Sequence, residues 1–210
     1  MYVPAHFDES RPEVLHELIR RHPLGVLVTH AAGSLDANHI PFVLNPKSGL
    51  HGTLLAHVAR NNSVWQAVTA GDEVLVIFRA EEAYISPNWY PSKHEFHRQV
   101  PTWNYRVVHV HGRITLHDDE RFVRGVVSRL THEHEDSRPQ PWRMVDAPAD
   151  YIDTMVKNIV GIEVEITQLA GKFKLSQNRE ARDIRGAGAA LVSEGHAAIG
   201  QAMLDLPHAK

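Results

Sequence analysis

Four stretches of this 210-residue chain gather side chains able to bind or react. The first is Gly52-Thr53-Leu54-Leu55-Ala56-His57-Val58-Ala59-Arg60-Asn61-Asn62, which reads as a strand running into a helix. Free backbone N–H groups at a helix start attract anions, and the Arg60 guanidinium is a fork suited to phosphate. The same residues also read as an ordinary strand-to-helix corner with a surface arginine. The second stretch is Ala83-Tyr84-Ile85-Ser86-Pro87-Asn88-Trp89-Tyr90-Pro91. The third is Val100-Pro101-Thr102-Trp103-Asn104-Tyr105, leading into Val108-His109-Val110-His111-Gly112. Aromatics this dense in a loop are costly when exposed. They must cover a core edge, a subunit partner or a planar ligand. The fourth, Lys172-Phe173-Lys174-Leu175-Ser176-Gln177-Asn178-Arg179, lies between a strand and a helix. It reads either as a second anion cradle or as a solvated, basic helix start.

Histidine is the other chemically active type, with 16 copies. His109 and His111 share a strand face, His94 and His97 are three apart, and His132 and His134 flank Glu133. Each pair offers two metal ligands, but none has a fixed third ligand in the sequence. Solvated or hydrogen-bonded histidines are expected, and no metal. The formal charge of −3 with neutral histidines is unpromising for nucleic acid, which calls for dense Lys and Arg. Protonating several histidines near about pH 6 would turn the charge positive.

The chain has no cysteine, which excludes a disulfide framework and a Cys-based zinc site and fits a reducing compartment. The opening residues show no basic region followed by an apolar run, so a secretory signal is not expected. Apolar runs such as Leu24 to Thr29 and Val74 to Phe78 are far too short to span a membrane. A cytoplasmic protein with no membrane partner is the expectation.

The elements that would position these residues follow from periodicity and punctuation. Ser10 and Glu13 form a capping box, and Val14, Leu15, Leu18 and Ile19 mark the apolar face of a helix that Pro23 ends. Strands are predicted at Leu24 to Thr29, Leu35 to Leu44 and Leu50 to Ala56, joined by turns at 31–34 and 45–49. A helix is predicted over Val58 to Val68, a strand over Glu73 to Phe78, and continued sheet over Ala83 to Ser86. Pro87 to Pro101 reads as a loop. Tyr105 to Leu116 alternates as a long strand, and Asp118 caps a helix through about His132. A helix over Ala149 to Asn158, a last strand over Val160 to Leu169 and an Ala-rich helical end after Gln177 complete the pattern. The expectation is a single domain over residues 1–200 with a tail at 201–210. The class is α+β, mainly β, a closed or split antiparallel barrel with peripheral helices.

Five motifs in order make the reading more specific. They are Met1-Tyr2-Val3-Pro4 with His6-Phe7, His57-Val58-Ala59-Arg60-Asn61, Tyr84-Ile85-Ser86-Pro87-Asn88-Trp89-Tyr90, Val100-Pro101-Thr102-Trp103-Asn104-Tyr105, and Lys174-Leu175-Ser176-Gln177-Asn178-Arg179. Together they resemble the PaiB-type family of FMN-binding negative transcriptional regulators, over nearly the whole chain. The resemblance implies a six-stranded, Greek-key FMN-binding split β-barrel, a homodimer, and FMN at the subunit interface. By this likeness the strand around His39 and Pro41 flanks the isoalloxazine. The His57, Ala59, Arg60 and Asn61 corner meets the ribityl phosphate. Trp103 and Asn104, or Lys174, Ser176, Gln177 and Arg179, come from the partner subunit, and Ser86 joins the cofactor-binding candidates.

The function implied is an FMN-dependent oxidoreductase or a flavin-sensing transcriptional regulator. Flavin chemistry needs no nucleophile–base arrangement from the protein, because the cofactor carries the hard step. Two alternatives stand beside it. One is a DNA-binding repressor; the helix near 118–132 carries Arg121, Arg124 and Arg129, but also Asp118, Asp119 and Glu120. The other is a haem-binding or haem-degrading split barrel, although no axial ligand stands out.

Overall fold

The computed structural model describes residues 1–31 and 33–207. In chain order the strands are β1 (Asp8–Glu9), β2 (Leu24–Ala31), β3 (Ser34–Pro41), β4 (Val43–Asn45), β5 (Thr53–Ala59), β6 (Glu73–Ile85), β7 (Thr102–His117) and β8 (Ile159–Lys174). The helices are α1 (Pro12–Arg21), α2 (Val64–Ala67), α3 (Pro91–Phe96), α4 (Glu120–Glu135), α5 (Ala149–Lys157), α6 (Ala181–Ser193) and α7 (Ala197–Leu204). The strands pair in the order β3-β2-β6-β7-β8-β5-β4, with β1 on β8, and the ladder does not close on itself. β1 and β4 have only two and three residues, so six longer strands make up most of this eight-stranded, unclosed sheet.

The chain forms two compact units. The first comprises Met1–Leu15, Arg79–Val108 and Ala170–Lys210; the second comprises His16–Phe78 and His109–Leu169. In the second unit, β2 buries alternate residues, and Phe42 meets Phe78 edge to face at 5.7 Å. The α4 face of Val126 and Leu130 packs on Val43 and Leu55, with Phe122 beside them. Each such side chain taken from water contributes about 1.5–3 kcal/mol. Gly112 on β7 sits where a Cβ would lie 2.5 Å from the Glu165 carbonyl oxygen. Gly112→Ala is therefore expected to cost about 1–3 kcal/mol, read from the urea midpoint; an unchanged midpoint would show that the strands can part freely.

In the first unit, α6 turns Ile184, Ala187, Gly188 and Leu191 inward at helical spacing. They pack with Ile85, Tyr90, Leu175, Ile199 and Met203. Gly188 lets α7 approach closely: a Cβ on Gly200 would stand 2.8 Å from the Gly188 carbonyl oxygen.

Several boundaries differ from the periodicity. The helix expected over Val58 to Val68 shrinks to α2, because Val58 and Ala59 still pair with Val160 and Ile159. The loop expected over Pro87 to Pro101 contains a 3-10 turn (Pro87–Trp89) and α3. Ser86 caps the turn, and Pro87 and Pro91 preset the backbone angle of the two helical starts. β8 runs on to Lys174, five residues past the expected end, as Lys172 and Gly171 pair with β1. Asp119, not Asp118, caps α4, its carboxylate accepting from Phe122 N at 2.8 Å. In the expected turn at 31–34, Ala32 lies outside the described residues, while Gly33 takes φ 77°. α7 extends through Leu204 into the segment expected as a tail, of which residues 208–210 lie outside the described set.

Candidate functional site

Seven of the predicted site residues lie in the first unit: Ser86, Trp103, Asn104, Lys174, Ser176, Gln177 and Arg179. Strand alternation on β7 turns Trp103 outward, 55% exposed, and Asn104 inward, fully buried. The Trp103 indole meets Tyr84 edge to face at 6.1 Å, and Tyr84 is also exposed. On β8, Lys174 donates to Thr102 Oγ1 and to the Trp103 carbonyl. Lys172, two residues back, donates to the Tyr2 carbonyl at 3.1 Å and lies over the rings of Tyr2 and Tyr105. The Arg179 guanidinium lies over the Tyr90 ring at 5.7 Å.

Among the described residues, no carboxylate forms an ion pair with Lys172, Lys174 or Arg179. Burial, with the like charges of Lys172 and Arg179, holds the Lys174 ammonium below the usual lysine range. An anion arriving here would relieve repulsion and would have no carboxylate to displace. Beneath the cluster, Ser176 takes a left-handed φ of 66°. Its hydroxyl meets Tyr90 OH at 3.1 Å and accepts from Asn104 Nδ2 at 2.9 Å. Asn104 Oδ1 is enclosed without a partner. The Gln177 side chain folds back, its Oε1 accepting from Leu175 N at 2.7 Å, so it braces the β8 end. Ser86 serves as a cap, its Oγ accepting from Asn88 N.

The other six predicted residues lie in the second unit. His39 and Pro41 are exposed on β3, opposite Val26 and Leu24. His57 and Ala59 end β5, and exposed Asn61 follows. Arg60 is already committed: its Nε donates to the Lys157 carbonyl at 2.7 Å, and both terminal nitrogens grip Asp118. A phosphate at Arg60 would have to displace that carboxylate. His57 and Ala59 border a cavity of about 560 Å³ whose walls include Trp142, Tyr151 and Met155. Burial pushes the His57 imidazole below its ordinary pKa and so favours its neutral form.

Lys172, Tyr84 and Tyr90 belong with the first group and were missed as individual site residues. A signal was present for Lys172: Lys-x-Lys on a strand places both ammonium groups on one face.

A family sequence model described as "Putative FMN-binding domain" matches residues 1–168. The chain is 30% identical over 183 residues to the protease synthase and sporulation protein PAI 2 of Bacillus subtilis, covering 87% of this chain and 85% of that protein. It is 34% identical over 221 residues to an uncharacterized protein of Emericella nidulans, covering 89% and 88%. Among solved structures, the flavocytochrome Anf3 from Azotobacter vinelandii superposes with a TM-score of 0.60 at 12% identity, over 82% of this chain and 72% of that one. The FAD and heme binding protein from Mycobacterium smegmatis gives 0.59 at 15%, over 80% and 73%. These likenesses establish the split-barrel fold. No described helix is long and apolar enough to cross a membrane. With the match spanning residues 1–168 and the order of strands that such a barrel demands, this chain belongs to the FMN-binding-domain family.

Proposed function

We propose that the chain binds FMN through its first unit and works as a flavin-dependent redox protein. The observation that carries this reading is the set of three cations, Lys172, Lys174 and Arg179, without a carboxylate partner among the described residues. Lys174 bonds the main chain of Trp103, whose exposed indole pairs with Tyr84. FMN demands both features: cations for a phosphate dianion and an apolar plate for the tricyclic ring. Lys174 and Arg179 hold the phosphate, and the Trp103 indole packs against the ring. Tyr90, Asn104 and Ser176 stiffen the turn that presents Arg179. Bound FMN supplies hydride and single-electron transfer; the protein supplies position and polarity.

The chain works as a homodimer in this reading, because Tyr2, Tyr84, Phe96 and Trp103 leave aromatic surface that a second copy would cover. Light scattering at micromolar concentration should give the dimer mass, and a persistent monomer would count against it. A regulatory role would then be flavin-sensing. Direct DNA reading has little to recommend it, since Arg124 of α4 is tied to Glu120 and Asp153.

The deciding experiment is a titration of cofactor-free protein with FMN, followed by flavin fluorescence. Saturable quenching in the micromolar range is expected. Trp103→Ala should weaken binding several-fold with the oligomeric state unchanged, since an aromatic contact contributes about 0.5–1.5 kcal/mol beyond buried area. Folded protein that produces no saturable change would remove the flavin reading. An absorption band of haem rather than flavin in purified protein would replace it.

A further inference from the structure

The second unit contains a binding feature that the flavin reading leaves unused. Its cavity of about 560 Å³ lies between the end of β5, α4, the 142–144 segment and α5. None of its lining residues is Asp, Glu, Lys or Arg. Arg60, which follows Ala59, is occupied with Asp118 and the Lys157 carbonyl. No charged side chain in the walls would compensate a phosphate, and a charged ligand would lose much of its hydration without return. The walls suit a flat, apolar body: Trp142 and Tyr151 are aromatic, and Met155 and Met144 are soft and adaptable. The volume falls in the range of small-molecule sites.

His57 supplies the polar element. Its Nδ1 is enclosed and has no hydrogen-bond partner. Its Nε2 is neither bonded within the protein nor enclosed. An orphaned buried N–H is rarer than an orphaned acceptor, which assigns the proton of the neutral ring to Nε2. The reachable nitrogen is then a donor.

We propose that this cavity binds a neutral, largely aromatic molecule whose carbonyl oxygen accepts a hydrogen bond from His57 Nε2. Quinones and aromatic ketones are the chemical class. The site is independent of FMN binding in the first unit, so either reading can fail alone.

The test uses the full chain and 6-propionyl-2-(dimethylamino)naphthalene, a neutral fluorescent ketone. Saturable binding with enhanced emission is expected. His57→Leu should weaken the ketone about fivefold, the worth of one hydrogen bond, and leave 2-(dimethylamino)naphthalene, which lacks the carbonyl, unchanged. Met155→Asp, at a partly exposed position, should weaken both probes by at least about tenfold. A naphthalene sulfonate should bind at least about tenfold more weakly than the ketone. Unaltered circular dichroism and an unaltered urea midpoint in each variant would serve as folding controls. Equal affinity for the sulfonate, or indifference to His57→Leu, would overturn the proposal. Displacement of the ketone by FMN would overturn it too, by making the cavity the flavin's own.

Discussion

Lys174→Ala and Arg179→Ala are each expected to weaken FMN binding by about tenfold or more while riboflavin binding changes by less than about twofold, because a charge-assisted hydrogen bond is worth about 1.5–3 kcal/mol. Riboflavin is FMN without its phosphate, so the difference between the two ligands isolates the phosphate contact. Lys174 has no acid to lose, and its alanine variant leaves no orphaned carboxylate behind. Equal weakening of both ligands would place these residues at the ring or in the scaffold. Arg60→Ala provides the contrast. Its partners are Asp118 and main-chain carbonyls, so the expected effect is on the β5 corner and falls on both ligands alike.

The same cluster gives the binding a pH dependence with a definite sign. Burial, with Lys172 and Arg179 close by, lowers the Lys174 pKa in the free protein. A phosphate dianion in contact would raise it. FMN affinity is therefore full below the free-protein pKa and falls as the pH rises through it, where binding must take up a proton. Lys174→Arg should flatten this fall, since arginine keeps its charge. A wild-type affinity that stays level into the alkaline range would show that the Lys174 charge does not meet the ligand.

Asp183→Ala carries the largest expected loss of stability, about 3 kcal/mol or more. Asp183 is a buried carboxylate in the first turn of α6. Its oxygens accept from Ser92 N at 3.0 Å and Ser92 Oγ at 2.6 Å, with Gln99 Nε2 reaching both Ser92 Oγ and Asp183. Ser92 N is at the start of α3, so the carboxylate fastens α3 to α6. Alanine would leave the buried Ser92 N–H and hydroxyl without this acceptor, at about 1–3 kcal/mol for each. Asp183→Asn, which keeps one acceptor, should recover part of the loss. Urea denaturation followed by circular dichroism measures both; a loss under about 1 kcal/mol would mean that the donors find water or another acceptor.

The order of elements was readable because it rests on local signals. Short β-branched and apolar runs located β2 and β6, alternation located β7, and the Ser10–Glu13 and Asp118 regions announced α1 and α4. Five short motifs carried the family likeness and the split-barrel expectation. Errors arose where neighbouring strands outvoted local propensity. Val58 and Ala59 have the company of a helix start in the sequence, yet the β8 ladder holds them extended. Lys172 and Lys174 sit before a helix in the sequence, yet β8 extends to Lys174, with Gly171 and Lys172 paired to β1.

The side-chain chemistry divides along the same line. By itself the sequence determined which residue types were at hand: an arginine after β5, Lys-x-Lys before Ser176, and aromatics flanking Pro87 and Pro101. It also determined that Trp103 and Asn104 must face opposite ways, since strand geometry forces successive side chains apart. Only the tertiary structure decided which of these charges are free. Arg60 meets Asp118 across 58 residues, and Ser92 meets Asp183 across 91. Lys174 and Arg179 meet no acid among the described residues. A local pattern of hydrophobicity holds no record of such distant partners. Their pairing follows from strand register and helix docking, which fix positions in space only once the whole sheet has formed.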